Sequence, residues 1–268
     1  MPAEMDAGFA SRSATRSAPG HRTDVVVVMP AYREPRGVGL VIEELRKTVG
    51  TGIVVVYRPD GDATEALVRA RGVPIIRQEG RGKGDAVRLG LEFVRQNFAQ
   101  THYIGLIDAD GTYPSAAVEP MREILEHNPS VGMVIAHRDN VANNGFSSHA
   151  FAFGNHLLAW LHRVLNKVSV RDPLSGLRLV RAELLKDWHP RSRGFDIECE
   201  LNDYIHNVKR AEIGEVNITY RPRTGEKKLG LRHGAVILTR MVRLALDRPR
   251  RKPVANPDDL PSPAASPR

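Results

Sequence analysis

Two aspartates stand two residues apart where an apolar run ends. Asp108 and Asp110 follow the run 104–107 and are followed by Gly111. In an extended backbone, residues i and i+2 project to the same side, so the two carboxylates would face one way. Two hard oxygen donors suit Mg²⁺ or Mn²⁺. An Asp-Gly pair is also a common turn signal, but its place within an alternation of strands and helices favours a metal site.

Other polar groups follow neighbouring apolar runs. Glu34 follows the first run and Asp60 ends the second, where acids can accept hydrogen bonds from a base or from ribose hydroxyls. A turn residue and a solvated loop charge are the alternatives. The glycine-rich segment 80–84 contains Lys83 and opens a helix, so its amides suit a phosphate. It matches neither the Walker A nor the dinucleotide pattern, and such residues also form ordinary turns.

The elements that would position these groups alternate along the chain. Five apolar runs predict strands, at residues 25–29, 53–56, 73–76, 103–107 and 131–136. Helical spacing of apolar residues between the runs predicts helices. Because Pro74 has no amide donor, the third strand is expected at a sheet edge, or else Pro74 is expected at the start of the strand. The order favours an α/β fold with a doubly wound, mainly parallel central sheet, whose ligands bind at the carboxyl edge.

Composition limits the class of protein. The 268 residues include 39 Lys and Arg, 31 Asp and Glu, and one cysteine, giving a net charge of +8. The single Cys199 argues against a disulfide framework and favours a reducing, cytoplasmic location. No apolar run approaches the ~20 residues of a membrane span. Residues 24–247 are predicted to form one domain between disordered tails, 1–23 and a basic, proline-rich 248–268.

Taken together, these motifs resemble the family 2 glycosyltransferases, which have the Rossmann-like GT-A fold. More narrowly, they resemble the dolichol-phosphate mannose or glucose synthase branch. The resemblance runs from about Val25 to Leu246. It is carried by ordered motifs at residues 28–34, 60–61, 81–84, 108–110, 154–155, 172–178 and 225–229. The last two of these are the more specific to the branch.

The resemblance implies a role for each matching position. Contacts with the donor nucleotide are expected from Pro30, Ala31, Tyr32, Glu34, Asp60, Gly82, Lys83, Ala109 and Arg223. Catalytic roles are expected for Asp108, Asp110, Arg138 and Lys228. The two aspartates would bind the Mg²⁺ or Mn²⁺ that bridges the diphosphate. The sequence departs from the family at Arg58-Pro59, where relatives carry acids, at Thr112, where mannose synthases often carry glutamine, and at 151–153, where an arginine is often found.

The activity implied by the resemblance is inverting transfer of a hexose from a nucleotide-sugar, of the GDP-mannose or UDP-glucose type, to a polyprenyl or dolichyl phosphate. Such an acceptor requires a membrane surface, expected at the cytoplasmic face. The segment 231–246 predicts an amphipathic helix, with Arg232, Arg240 and Arg243 beside apolar residues and a basic tail after it. A second interfacial helix is predicted at 146–165. Helices packed on the domain with solvated charges remain the alternative.

Two other functions remain open at this point. The first is a GT-A glycosyltransferase that uses the same donor site with a soluble acceptor. The second is a basic nucleic-acid-binding or nucleotide-binding protein without catalysis, for which the charge of +8 is the main support. The basic residues are spread along the chain and in its tails, and no recognition motif is present, so no nucleic-acid partner is expected.

Overall fold

The computed structural model describes residues 24–139, 146–223 and 231–247. Within them, seven strands form one sheet in the order β3-β2-β1-β4-β6-β5-β7. The strands are β1 (Val25–Ala31), β2 (Ile53–Tyr57), β3 (Ile75–Arg77), β4 (Tyr103–Leu106), β5 (Val131–Arg138), β6 (Arg178–Arg181) and β7 (Glu212–Ile218). The predicted disordered tails lie outside the described residues, so the domain bounds 24–247 stay a prediction.

Seven α-helices connect or cover these strands in the described residues. They are α1 (Val38–Val49), α2 (Thr64–Arg69), α3 (Lys83–Asn97), α4 (Val118–His127), α5 (Phe146–Asn166), α6 (Ile197–Asp203) and α7 (Leu231–Leu246). The helices predicted at 146–165 and 231–246 are therefore present as α5 and α7. None of the helices that the structure describes is long and apolar enough to cross a lipid bilayer.

The predicted mainly parallel sheet is confirmed, with two further strands that the sequence did not reveal. β1 pairs in parallel with β2 and β4, β2 with β3, and β5 with β7. β6 lies between β4 and β5 and is antiparallel to both. β3 is an edge strand and begins directly after Pro74, in agreement with the expectation of an edge or a strand start. Neither β6 nor β7 was among the five predicted strands.

The burial of β1 on both faces explains why its sequence is apolar without interruption. Val27 and Met29 pack into the cluster formed with α1 and α4, whereas Val26 and Val28 pack into the cluster formed with α3 and α6. Successive side chains of a strand point to opposite faces, so a strand covered on both faces has no polar position. A third, smaller cluster joins α7 to α5 and α6 around Cys199.

The parallel strands bring the predicted site residues to one edge of the sheet. Glu34 follows β1, Asp60 follows β2, Lys83 follows β3 and Asp108 follows β4. Since these four strands run in the same direction, their carboxyl ends share an edge, which is where ligands of open α/β sheets bind.

Candidate active site

Asp108 shares the ammonium of Lys83 with a second carboxylate. Lys83 Nζ lies 2.6 Å from Asp108 Oδ1 and 2.6 Å from Glu198 Oε1, which belongs to α6. Burial acts to raise the pKa of Asp108, but Lys83, with smaller contributions from Arg223 and Arg138, holds the pKa below its ordinary value. Burial also acts to lower the pKa of Lys83, yet the two carboxylates together raise it. Both groups are therefore charged at neutral pH.

Asp110 is held from two sides. Its Oδ1 accepts hydrogen bonds from the Thr112 amide at 3.0 Å and from the Thr112 hydroxyl at 2.6 Å. Its Oδ2 lies 2.6 Å from Arg223 Nη2, while Arg223 Nη1 lies 4.0 Å from Glu34 Oε1. Arg223 thus joins the loop after β1 to the loop after β4. Thr112, at the place where mannose synthases often carry glutamine, fixes the orientation of the Asp110 carboxylate.

The carboxylate of Asp108 fits against the backbone of Gly176. A Cβ atom at Gly176 would lie 2.2 Å from Asp108 Oδ2, so any side chain there would displace the carboxylate. The Gly176 amide donates a 2.6 Å hydrogen bond to the hydroxyl of Tyr113, which fixes the glycine in place. The segment 172–178, one of the motifs that carry the family resemblance, therefore forms one wall of the Asp108 site.

A buried arginine holds this wall in shape. Arg178 is 1% exposed, and it donates to the Ser175 carbonyl at 2.9 Å, to the Pro173 carbonyl at 2.6 Å and to the side chain of Asn202. It also donates to the carbonyl of Glu198 at 3.5 Å. Because the loop and α6 bind the same guanidinium, Gly176 and Glu198 approach Asp108 together.

Arg138, for which a catalytic role was predicted, is paired within the protein. Its Nε and Nη2 lie 2.5 and 2.7 Å from the two oxygens of Asp172, a bidentate ion pair. Burial acts to raise the pKa of Asp172, but Arg138 holds it below its ordinary value. The guanidinium also lies over the ring of Tyr220, 5.3 Å from its centroid. In this structure Arg138 therefore anchors the start of the 172–178 segment to β5.

The residues predicted to hold the nucleoside gather beyond β1 and β2. Arg33 Nε donates to Asp60 Oδ2, and the Asp60 amide donates to the Tyr57 hydroxyl at 3.3 Å. The guanidinium carbons of Arg33 and Arg58 lie 5.4 and 5.1 Å from the centroid of the Tyr32 ring. An aromatic ring, a carboxylate and guanidinium donors are groups that can stack on a base and bond its edge.

The glycine-rich turn before α3 fits closely against another segment. Gly82 has a φ of +91°, and a Cβ there would lie 2.1 Å from the Arg193 carbonyl oxygen. The Gly84 amide donates to the same oxygen at 3.0 Å. The Gly84 amide, one of those proposed to bind a phosphate, is thus already hydrogen-bonded within the protein. The main group that this turn contributes to the site is therefore the Lys83 ammonium.

The donor set of Asp108 and Asp110 fits a divalent cation. In the part of the chain that the structure describes, no group of three or more His, Cys, Asp or Glu side chains is placed to hold a metal ion. Mg²⁺ in phosphoryl sites is usually bound by one or two carboxylates, with the remaining ligands from phosphate and water. The two aspartate side chains at the carboxyl edge of the sheet meet that requirement without a third protein ligand.

The structure brings most of the predicted site residues together. Asp108 and Lys83 are in contact, as are Asp110 and Arg223, and Pro30 and Ala31 end the neighbouring β1. Ala109 is buried between the two aspartates. Lys228 lies outside the described residues. The sequence analysis included Gly176 and Arg178 in the 172–178 motif but assigned them no role. It missed Glu198, because nothing in one sequence distinguishes a buried glutamate on a helix from a solvated one.

A sheet of this order, with an Asp-x-Asp pair at its carboxyl edge, defines an α/β protein of the GT-A-like class. The chain belongs to glycosyl transferase family 2, whose sequence profile matches residues 26–188, more than half of the chain. The protein is therefore a glycosyltransferase. The predicted family is confirmed, and so is its resemblance to the dolichol-phosphate sugar transferase branch.

Similar proteins agree with this assignment. Glycosyltransferase AglJ of Haloferax volcanii is 28% identical over 229 residues, covering 82% of this chain and 72% of the relative. A dolichyl-phosphate hexose transferase of the same organism is 28% identical over 229 residues, covering 84% of this chain and 95% of the relative. The solved structure of Mycobacterium tuberculosis glucosyl-3-phosphoglycerate synthase, with Mn²⁺, UDP-glucose and phosphoglyceric acid, superposes with a TM-score of 0.65 at 20% identity, covering 84% of this chain and 81% of that one.

Proposed function

We propose that this glycosyltransferase moves a hexose from a nucleotide-sugar to a polyprenyl or dolichyl phosphate, with inversion at the anomeric carbon. The observation that carries the proposal is the acidic pair at the carboxyl edge, flanked by Lys83 and Arg223. The similarity to a dolichyl-phosphate hexose transferase over most of both chains supports the acceptor.

The proposed reaction is a direct displacement. A phosphate oxygen of the acceptor attacks the anomeric carbon, and the bond from that carbon to the donor diphosphate breaks. The electron pair leaves with the nucleoside diphosphate. Because the acceptor phosphate is already ionised at neutral pH, the reaction needs no strong general base.

The residues of the site contribute charge and orientation. Lys83 and Arg223 carry the positive charges beside the acidic pair, where they offset the charge that grows on the departing diphosphate. Asp108 and Asp110 would hold Mg²⁺ or Mn²⁺, which when bound neutralises diphosphate charge. The glucosyl-3-phosphoglycerate synthase of similar fold was solved with Mn²⁺, which supports this choice. Thr112 and Gly176 keep the two carboxylates in position.

A lipid-linked acceptor places the site at a membrane surface. α5 and α7 contain no acidic residue. On α5, the exposed Leu157, Trp160 and Val164 recur at helical spacing beside the exposed Arg163, and the exposed Lys167 directly follows the helix. This apolar stripe with a basic border, here called the α5 stripe, suits the surface of an anionic membrane. We propose the cytoplasmic face, and a peripheral attachment, for this contact.

The outer face of α7 extends the proposed surface. Val242 and Leu246 are exposed, and so is Arg243. The predicted membrane role of Arg240 is not supported, because Arg240 Nε lies 2.9 Å from Asp196 Oδ2 and pairs inward. The apolar residues of the inner face, Ile237 and Met241, are buried against α5 and α6.

Replacing two residues of the α5 stripe should weaken membrane binding. We expect the Trp160→Ser, Val164→Ser variant to bind vesicles of phosphatidylcholine and phosphatidylglycerol about tenfold less tightly, because two apolar side chains no longer enter the interface. Cosedimentation measures this. Leu40→Ser is the matched control, since Leu40 is 45% exposed on α1, away from the stripe. Equal vesicle binding by the wild-type protein and the double variant would remove the stripe from the proposal.

The acceptor is identified by supplying a lipid phosphate and a soluble phosphate in separate reactions. Purified protein is incubated with Mn²⁺ and radiolabelled GDP-mannose, UDP-glucose or UDP-N-acetylglucosamine, together with polyprenyl phosphate in vesicles or with a soluble phosphate acceptor such as 3-phosphoglycerate. We expect an organic-extractable, lipid-linked sugar from one donor. Transfer to the soluble acceptor alone would reject the lipid acceptor, and duplex-DNA binding without any transfer would favour the non-catalytic alternative.

A further inference from the structure

Glu198 is a buried carboxylate that takes no part in the proposed displacement. Its side chain is 5% exposed, and its Oε1 lies 2.6 Å from Lys83 Nζ. Its Oε2 is buried without a hydrogen-bond partner among the described residues. A buried ionised group costs free energy unless a partner offsets it. The position of Glu198 therefore depends on Lys83.

The geometry around Lys83 makes one ammonium serve two acids. The distances to Asp108 Oδ1 and Glu198 Oε1 are equal, and the Lys83 side chain is only 10% exposed. Lys83 begins α3, Asp108 follows β4 and Glu198 lies on α6. Three separate elements thus converge on one cluster, in which two carboxylates face one ammonium.

Lys83 binds the carboxylate that would also bind a divalent cation. Each is positively charged, and Asp108 is the group that both would contact. If Lys83 had only Asp108 as its partner, binding of a cation at Asp108 would leave a buried ammonium without an anion. Glu198 removes that cost, because it offers Lys83 a second carboxylate at the same distance.

We propose that Glu198 is a positioning residue that retains Lys83 and thereby sets the affinity of Asp108 for a divalent cation. This inference rests on the metal role within the proposed function. It does not make Glu198 a metal ligand, in agreement with the absence of a three-carboxylate group placed to hold an ion in the described residues.

The test measures Mn²⁺ binding without turnover. Free Mn²⁺ is followed by electron paramagnetic resonance in solutions that contain the full chain and no sugar donor or acceptor. We expect Glu198→Gln to weaken Mn²⁺ binding about tenfold, since Lys83 then relies on Asp108 alone. We expect Lys83→Met to tighten it, because the competing charge is gone. Glu198→Gln added to Lys83→Met should then change the affinity little.

A matched control separates this effect from a general loss of charge. Glu200→Gln removes the same charge from the same helix, but Glu200 accepts hydrogen bonds from the amides of Arg191 and Ser192 rather than contacting Lys83. We expect it to bind Mn²⁺ like the wild-type protein. If Glu198→Gln does not fold, Glu198→Asp replaces it, since aspartate keeps the charge on a side chain one methylene shorter. The same comparison with and without Lys83 then applies, and we expect a smaller loss of Mn²⁺ affinity.

Each outcome decides the inference. An unchanged Mn²⁺ affinity in Glu198→Gln overturns it. An equal loss in the presence and absence of Lys83 also overturns it, since Glu198 would then act on the cation directly. If the wild-type protein itself binds no Mn²⁺ at millimolar concentration, the metal role in the proposed function fails, and this inference fails with it. Weakening that depends on Lys83 supports both.

Discussion

Replacement of Asp108 by asparagine is expected to reduce glycosyl transfer about a thousandfold while the protein still folds. Asparagine keeps the shape that fits against Gly176 but removes the charge that pairs with Lys83 and that would bind a cation. The departing diphosphate carries more charge in the transition state than in the bound donor, so losing a group that offsets this charge lowers kcat rather than affinity for the donor. Steady-state kinetics with saturating donor and acceptor measure the effect.

The control for Asp108→Asn is Asp187→Asn. The Asp187 side chain is 86% exposed and lies 3.9 Å from Lys209, so its loss should leave kcat unchanged. Circular dichroism shows whether Asp108→Asn has folded. EDTA should abolish transfer by the wild-type protein, and added Mn²⁺ should restore it. Full activity of the variant, or undiminished turnover in EDTA, contradicts the metal role of the pair.

The sequence predicted the parts of the fold that follow from local patterns. The uninterrupted apolar run of β1 reflects burial on both faces, and Pro74 correctly indicated an edge strand. Asp108 and Asp110 were found because they directly follow a strand, and the ends of parallel strands meet by topology alone. These inferences need no knowledge of which distant segments come into contact.

The remaining parts depend on contacts that no local pattern records. β6 is four residues long, and it pairs antiparallel between β4 and β5 only because the chain returns across the sheet. Glu198 looks like any glutamate on a short helix until α6 is placed beside Lys83. Lys83 was predicted from the glycine-rich turn, but its ion pairs with two acids were not, because they join three separate elements.

Arg178 shows how the stability of the fold and the shape of the site are connected. Its replacement by methionine is expected to lower the free energy of unfolding by about 3 kcal/mol. Exchanging a buried charged group for an apolar one can be neutral when its partners are exchanged too. Here the partners remain: the Ser175 carbonyl and the Asn202 side chain would lose a buried donor, and methionine offers none. The cost of unpaired acceptors therefore exceeds the gain from removing a desolvated charge.

Urea denaturation followed by circular dichroism measures this loss, and the neighbouring Arg171 supplies the control. The Arg171 side chain is 53% exposed and pairs with Glu215 at 3.1 Å, so Arg171→Met should change stability by less than about 1 kcal/mol. Glycosyl transfer by Arg178→Met should also fall at urea concentrations too low to unfold it, because the loop that carries Gly176 is no longer bound to α6. An Arg178→Met protein as stable as Arg171→Met would show that the buried carbonyls find other donors, and the segment 172–178 would then owe its shape to the Arg138–Asp172 pair instead.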